Sequence, residues 1–237
     1  MRTRIRRGLT VVLAVSALSL TAACGGSADE SGTSGKGSGG KAAPSAAPAT
    51  PLTAAQMKAG ALQLKDLPAG WKVSKAEDDK TVYKADKPEC APVATLLADE
   101  VAGATTGADV DYERGNSESL LSQQVMTFPG TGAADYVTSL GTALGSCKGF
   151  TAEMEGVKMN IALEKLTAPQ GAEKAEAFRL KMNIASLGVD LESNMLVASQ
   201  GTGLTRFAHV PADASGHKDF DGFAKLAVTT FVKGATS

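Results

Sequence analysis

The sequence predicts an α+β fold: a meandering antiparallel sheet with helices packed on one face, a single domain behind a disordered linker. Three observations carry this expectation. Apolar and polar residues alternate with period two through Met159-Ile161-Leu163, Phe178-Leu180-Met182-Ile184 and Val189-Leu191…Met195-Val197. Such alternation describes strands with one buried and one wet face. Two runs instead repeat at helical spacing, Tyr136-Val137-Leu140-Leu144 and Phe220-Phe223-Ala224-Ala227-Phe231. Finally, residues 25–51 hold seven Gly, six Ala, five Ser and three Pro with no aromatic residue, a tract that cannot bury enough apolar area to offset the entropy of ordering.

The chain opens with Arg2, Arg4, Arg6 and Arg7, an apolar run from Leu9 to Leu20, and the small residues Ala22-Ala23 before Cys24. Twelve positions are too few for a bilayer span of about twenty residues, and the order basic, apolar, small is that of a secretory signal peptide. Residues 1–23 are expected to be this signal, with Arg6-Arg7 compatible with general or twin-arginine export. The stretch Leu20-Thr21-Ala22-Ala23-Cys24 resembles a bacterial lipobox, although Leu20 stands four places before the cysteine and Thr21 takes the position where leucine is commonest. The resemblance implies that Cys24 is diacylated, palmitate being a typical chain, and becomes the mature N-terminus. Two acyl chains anchor stably where one binds only marginally. The expected address is therefore the extracytoplasmic face of the cell membrane. Residues 24–51 would be a flexible tether with a reach of about 30 Å.

The whole chain carries 24 basic and 25 acidic residues. Four arginines and no acid precede Cys24, so the mature charge is about −5. A mildly acidic surface argues against nucleic acid as a partner. Of three cysteines, assigning Cys24 to the lipid leaves Cys90 and Cys147 as a pair. Outside the cytoplasm that pair is expected to be a disulfide.

The folded part is expected over 52–237. It begins with a helix from Thr53 to Leu64 that Thr53 caps and Pro68 and Gly70 end, then a short strand from Trp71 to Ser74 in which Trp71 is a core anchor. A second helix is predicted from Cys90 to Val101. Strands Asp109 to Arg114 and Ser117 to Phe128 turn at Gly115-Asn116. A helix from Gly132 to Gly145 leads directly into Cys147. The strand meander follows, ending at Leu204 to Val210, and a terminal helix buries its phenylalanines and stops at Gly234.

The order Leu67-Pro68-Ala69-Gly70-Trp71, Cys90-Ala91-Pro92, a helix closing at Cys147, a meander and a terminal helix resembles the extracellular sensor domain of PknH-type receptor kinases. That domain also occurs as free-standing lipoproteins of high-GC Gram-positive bacteria. The resemblance implies that Cys90 and Cys147 match a structural disulfide and that a ligand cleft lies on the sheet. A second disulfide usual in the later half of that domain has no counterpart here, since no cysteine follows Cys147.

No catalytic constellation emerges, and no cofactor or metal is expected. His209 and His217 stand outside any HExxH pattern, and neither a GxSxG elbow nor a P-loop occurs. Glu153 with Glu155 falls in a turn-like region and reads as solvated charge, and His209 acting as a base near Arg206 is the one enzymatic possibility. The leading expectation is a non-enzymatic sensing or binding module that meets a small molecule, glycan or envelope protein through its sheet. An acyl-chain carrier is the alternative, requiring unfilled space between Phe223, Phe231, Leu180 and Leu191. A cell-wall hydrolase stands third. The oligomeric state is not legible.

Overall fold

The structure is a computed structural model that describes residues 50–74, 83–98, 100–115, 119–154 and 156–237. The expected signal peptide, Cys24, most of the linker, Asn116 in the first hairpin turn and Glu155 lie outside the described residues.

Eight strands form one antiparallel sheet: β1 (Trp71–Ser74), β2 (Thr105–Arg114), β3 (Leu120–Thr127), β4 (Gly149–Met154), β5 (Val157–Leu166), β6 (Lys174–Ile184), β7 (Val189–Gln200) and β8 (Gly203–Val210). Their spatial order is β1-β2-β3-β8-β7-β6-β5-β4. Two meanders, β1 to β3 and β4 to β8, are thus joined through β3 and β8, so the last strand sits in the middle of the sheet. The crossover from β3 to the far edge at β4 is helix α3 (Gly132–Ser146). Helices α1 (Ala54–Ala59) and α2 (Ala91–Ala94) precede it, and α4 (Phe220–Ala235) closes the chain.

The expected class holds, with one correction: the helices lie on both faces of the sheet. Cross-strand partners share a face, so Phe207, Leu196, Leu121 and Tyr112 point one way, and they pack against Phe220, Phe223, Ala224 and Ala227 of α4. Leu204, Val197 and Phe178 point the other way, among Val137, Leu140 and Leu144 of α3 and Val93 of α2. The physical reason is visible in β7, where Leu196, Val197, Ala198 and Ser199 are all fully buried. A strand apolar or small at consecutive positions is covered on both sides.

Boundaries also differ. Helix α1 has the predicted cap, a capping box between Thr53 and Gln56, but ends at Gly60. Beyond it Leu62 is drawn onto the sheet: its N–H donates to Gln123 Oε1 at 2.7 Å and its carbonyl accepts from the Tyr112 hydroxyl at 2.8 Å. Helix α2 is one turn long within a run of 3₁₀ turns, Pro88–Cys90 and Thr95–Leu97. Gly234 does not stop α4, which continues to Ala235. A Cβ there would fall on the Gly60 main chain, 2.5 Å from its Cα, so glycine is what lets α1 and α4 touch. Strand β4, where Glu153 was expected in a turn, offered only Phe150 and Ala152 as a pattern.

Cys90 and Cys147 form a disulfide with Cα atoms 5.2 Å apart. It fastens the start of α2 to the end of α3 and closes 57 residues, which removes about 4 kcal/mol of unfolded-chain entropy on the loop-closure model.

Candidate functional site

Helix α3 covers only one end of its face. At the other end β6 and β7, the two longest strands, run on past it, and Met182 is left partly and Leu191 about half exposed. The result is a groove of about 430 Å³ that crosses β2, β3, β8, β7 and β6. Four inter-strand spacings make it about 19 Å long.

One wall is apolar: Leu180 and Met182 from β6 face Leu191 and Met195 from β7, with Ala208 and Val210 of β8 beside them. Leu96 and Leu97 from the 3₁₀ turn after α2 form the lip. Leu191 is 48% exposed and Leu120 of β3 45%, although both belong to a strand's buried-side pattern. The opposite wall is polar, with Asp109 and Asp111 on β2 beside Gln124 and Ser122 on β3.

A chain of hydrogen bonds fixes the floor. The buried guanidinium of Arg206 donates through Nη1 to the carbonyls of Leu96 (3.2 Å) and Ala98 (2.7 Å), and through Nη2 to Gln124 Oε1 (2.5 Å). Gln124 Nε2 in turn donates to Asp109 Oδ2 at 2.8 Å. Arg206 thus satisfies carbonyls at the end of the α2 segment, whose last turn closes at Leu97, short of the expected Val101. Burial pushes the nearby Tyr136 phenol above its ordinary pKa, against the opposing effect of Arg206.

The predicted enzymatic pair is separated. His209 and Arg206 lie on opposite faces of β8. His209 is sealed edge-on against Phe223, ring centroids 5.4 Å apart, and burial lowers its pKa from 6.5 to about 4, leaving it neutral. His217 is held in the turn before α4: Asn194 Nδ2 donates to its Nδ1 at 3.0 Å, and its Nε2 lies 2.9 Å from Glu192 Oε2. Asn194 Oδ1 accepts from Arg179 Nε, completing a bracket on the α4 face. Neither histidine lines the groove. Among the described residues no group of three or more His, Cys, Asp or Glu is placed to hold a metal ion.

The space required of an acyl carrier is divided by the sheet itself. Phe223 and Phe231 lie on the α4 face, Leu180 and Leu191 on the α3 face. Phe231 is fully buried among Met57, Ala61 and Val125. The sequence did not mark Asp109, Gln124 and Arg206 as a group, because the β2–β3 hairpin that carries the first two meets β8, some 80 residues later, only in the fold. Leu120 and Leu191 gave no signal as apolar residues left uncovered.

No protein-family model and no curated protein matches the chain. Solved structures do. The extracellular domain of PknH from Mycobacterium tuberculosis aligns over 79% of this chain and 99% of its own at 12% identity, with a TM-score of 0.56. An uncharacterised protein from Mycobacterium smegmatis aligns over 78% of this chain and 98% of its own at 14% identity, with a TM-score of 0.47. The chain therefore has the fold of the PknH extracellular domain.

Proposed function

We propose that this chain is a non-enzymatic extracytoplasmic module that binds or senses a ligand in the groove on its α3 face. It is exported on the 1–23 signal and held at the outer face of the cell membrane by a diacylglyceryl group on Cys24, with residues 24–51 as tether. The observation that carries the reading is the groove: exposed leucines at positions where a strand should bury them, over a floor fixed by Arg206 and Gln124. Fold likeness to an extracellular domain supports the location, as does a disulfide between two cysteines far apart in sequence.

Methionine methyl groups give a direct test, since Met182 and Met195 line the groove while Met57 lies on the other face. In protein labelled with ¹³C at these methyls, an extract of the native envelope should shift Met182 and Met195 and leave Met57 in place. Shifts spread equally over all three, or none, would overturn the groove as the site. Anchoring is tested separately: labelled palmitate should enter the parent protein and not Cys24→Ala, and that variant should leave the membrane fraction.

A further inference from the structure

We infer that His217 is an acid-released clasp: a second proton on its ring breaks the bond to Asn194 and frees the turn Ala214–Asp219 that leads into α4. The inference concerns the α4 face and is independent of the groove. Asn194 is fully buried, and its neighbours fix which way its amide points. Its Oδ1 accepts from Arg179 Nε at 3.0 Å, and Arg179 is held in turn by Glu164 Oε2, 3.3 Å from Nη1. A guanidinium nitrogen only donates. Oδ1 therefore stays on Arg179, and Nδ2 faces His217 Nδ1 at 3.0 Å. Nδ1 accepts that bond only with its lone pair free, so the ring carries its proton on Nε2, 2.9 Å from Glu192 Oε2.

A proton on Nδ1 sets N–H against N–H across this contact, and the buried amide loses its acceptor. That loss outweighs what the imidazolium gains from Glu192, whose carboxylate is partly exposed and shared with Lys181 at 3.2 Å. The other charged or titratable groups near the ring are His209, the register partner of Asn194 on β8, and Asp213, Lys218 and Asp219 on the segment of the turn, with Asp221 in the first turn of α4. Asp213 caps the turn by accepting from Gly216 N. Burial lowers the His209 pKa to about 4, against Asp219 and with His217, so His209 does not take up the proton first. The open turn binds the extra proton and the closed one does not; the clasp holds at neutral pH and yields as pH falls.

Exchange of the Asn194 side-chain amide protons with water, in the full chain, reads the bond directly. The Gln123 side-chain amide, also buried on the α4 face and bonded to Gly60 and Thr205, is the reference, and the ratio of the two rates cancels the intrinsic pH dependence of primary-amide exchange. From pH 7.5 to 5.5 the ratio should rise at least tenfold in the parent. In His217→Gln, whose amide can accept from Asn194 but takes up no proton, it should rise less than twofold. A ratio constant with pH in the parent, or an equal rise in His217→Gln, would overturn the inference. Should that variant not fold, ¹⁵N imidazole spectra of the parent decide: at pH 7.5 the His217 proton should sit on Nε2, and a proton on Nδ1 would overturn the clasp.

Discussion

On the α4 face the central strands are closed over, with Phe207, Leu196 and Ala177 packed under α4, whereas Val73 of the edge strand β1 is exposed. Gln123 accepts from Leu62 N and donates to Thr205 Oγ1, His209 lies against Phe223, and Phe231 has no exposed surface. On the α3 face the same strands, read one residue out of phase, are covered at one end and open at the other, where Leu120 and Leu191 reach solvent. The difference teaches that the groove is a property of helix length. On this face β6 and β7 carry apolar residues from Phe178 to Ile184 and from Val189 to Val197, and α3 with the short α2 segment covers only part of them.

If that contrast is right, damage to the two faces should differ in size. Phe231→Ala opens a void where the α4 face has no slack and should cost about 3–5 kcal/mol, measured by urea unfolding. The Cys90→Ser/Cys147→Ser pair should cost about 4 kcal/mol by the same measurement, and it should also loosen the Leu96–Leu97 lip, which hangs from the bridged segment. Gly234→Ala forces α1 and α4 apart and should cost about 1–3 kcal/mol, in the range of overpacked cores. A cost near zero would mean that the seam between these helices yields.

Acid should act on the same face. His209 is neutral in the folded protein down to about pH 4, whereas the unfolded chain takes up a proton near 6.5. The unfolded state then binds more protons, so stability from this group is intact above pH 6.5 and declines as pH falls toward 4. Asp219 partly offsets the burial and His217 adds to it. His209→Phe should flatten the melting temperature over that window; an unchanged slope would show that the ring is not sealed. Smallest of all, Leu191→Ala on the open face should change stability by less than about 0.5 kcal/mol, read by urea unfolding. A loss of stability comparable with Phe231→Ala would remove the distinction between the faces.

The strands and the two long helices were legible because alternation and the 3.6-residue repeat are local. Thr53, Cys90 and Cys147 were legible because capping and cysteine pairing depend on few residues. The distribution of helices between faces was less so, although the consecutive buried run Leu196 to Ser199 carried the hint. Strand β4 is an edge strand of six residues whose partner on the outer side is the bridge from Ala85 to Ala152, a pairing no local pattern announces. A cleft on the sheet was expected only from the family resemblance, and the residues that line the groove were not legible. Asp109, Gln124 and Arg206 meet through strand register, and whether Leu191 is buried depends on where a helix 45 positions earlier stops.

Both ends of the described domain lie at one pole. The Thr202 hydroxyl donates to the Thr50 carbonyl, Leu52 N donates to Thr127 Oγ1, and Gln56 Nε2 donates to the Ser237 carbonyl. The pairing of Thr127 with Gly203 and of Leu120 with Val210 sets the groove's end of β3 and β8 about 24 Å from that pole. A dye, affinity handle or reporter fused after Ser237 would consequently emerge beside Thr50 and Leu52, at the pole away from that end of the groove.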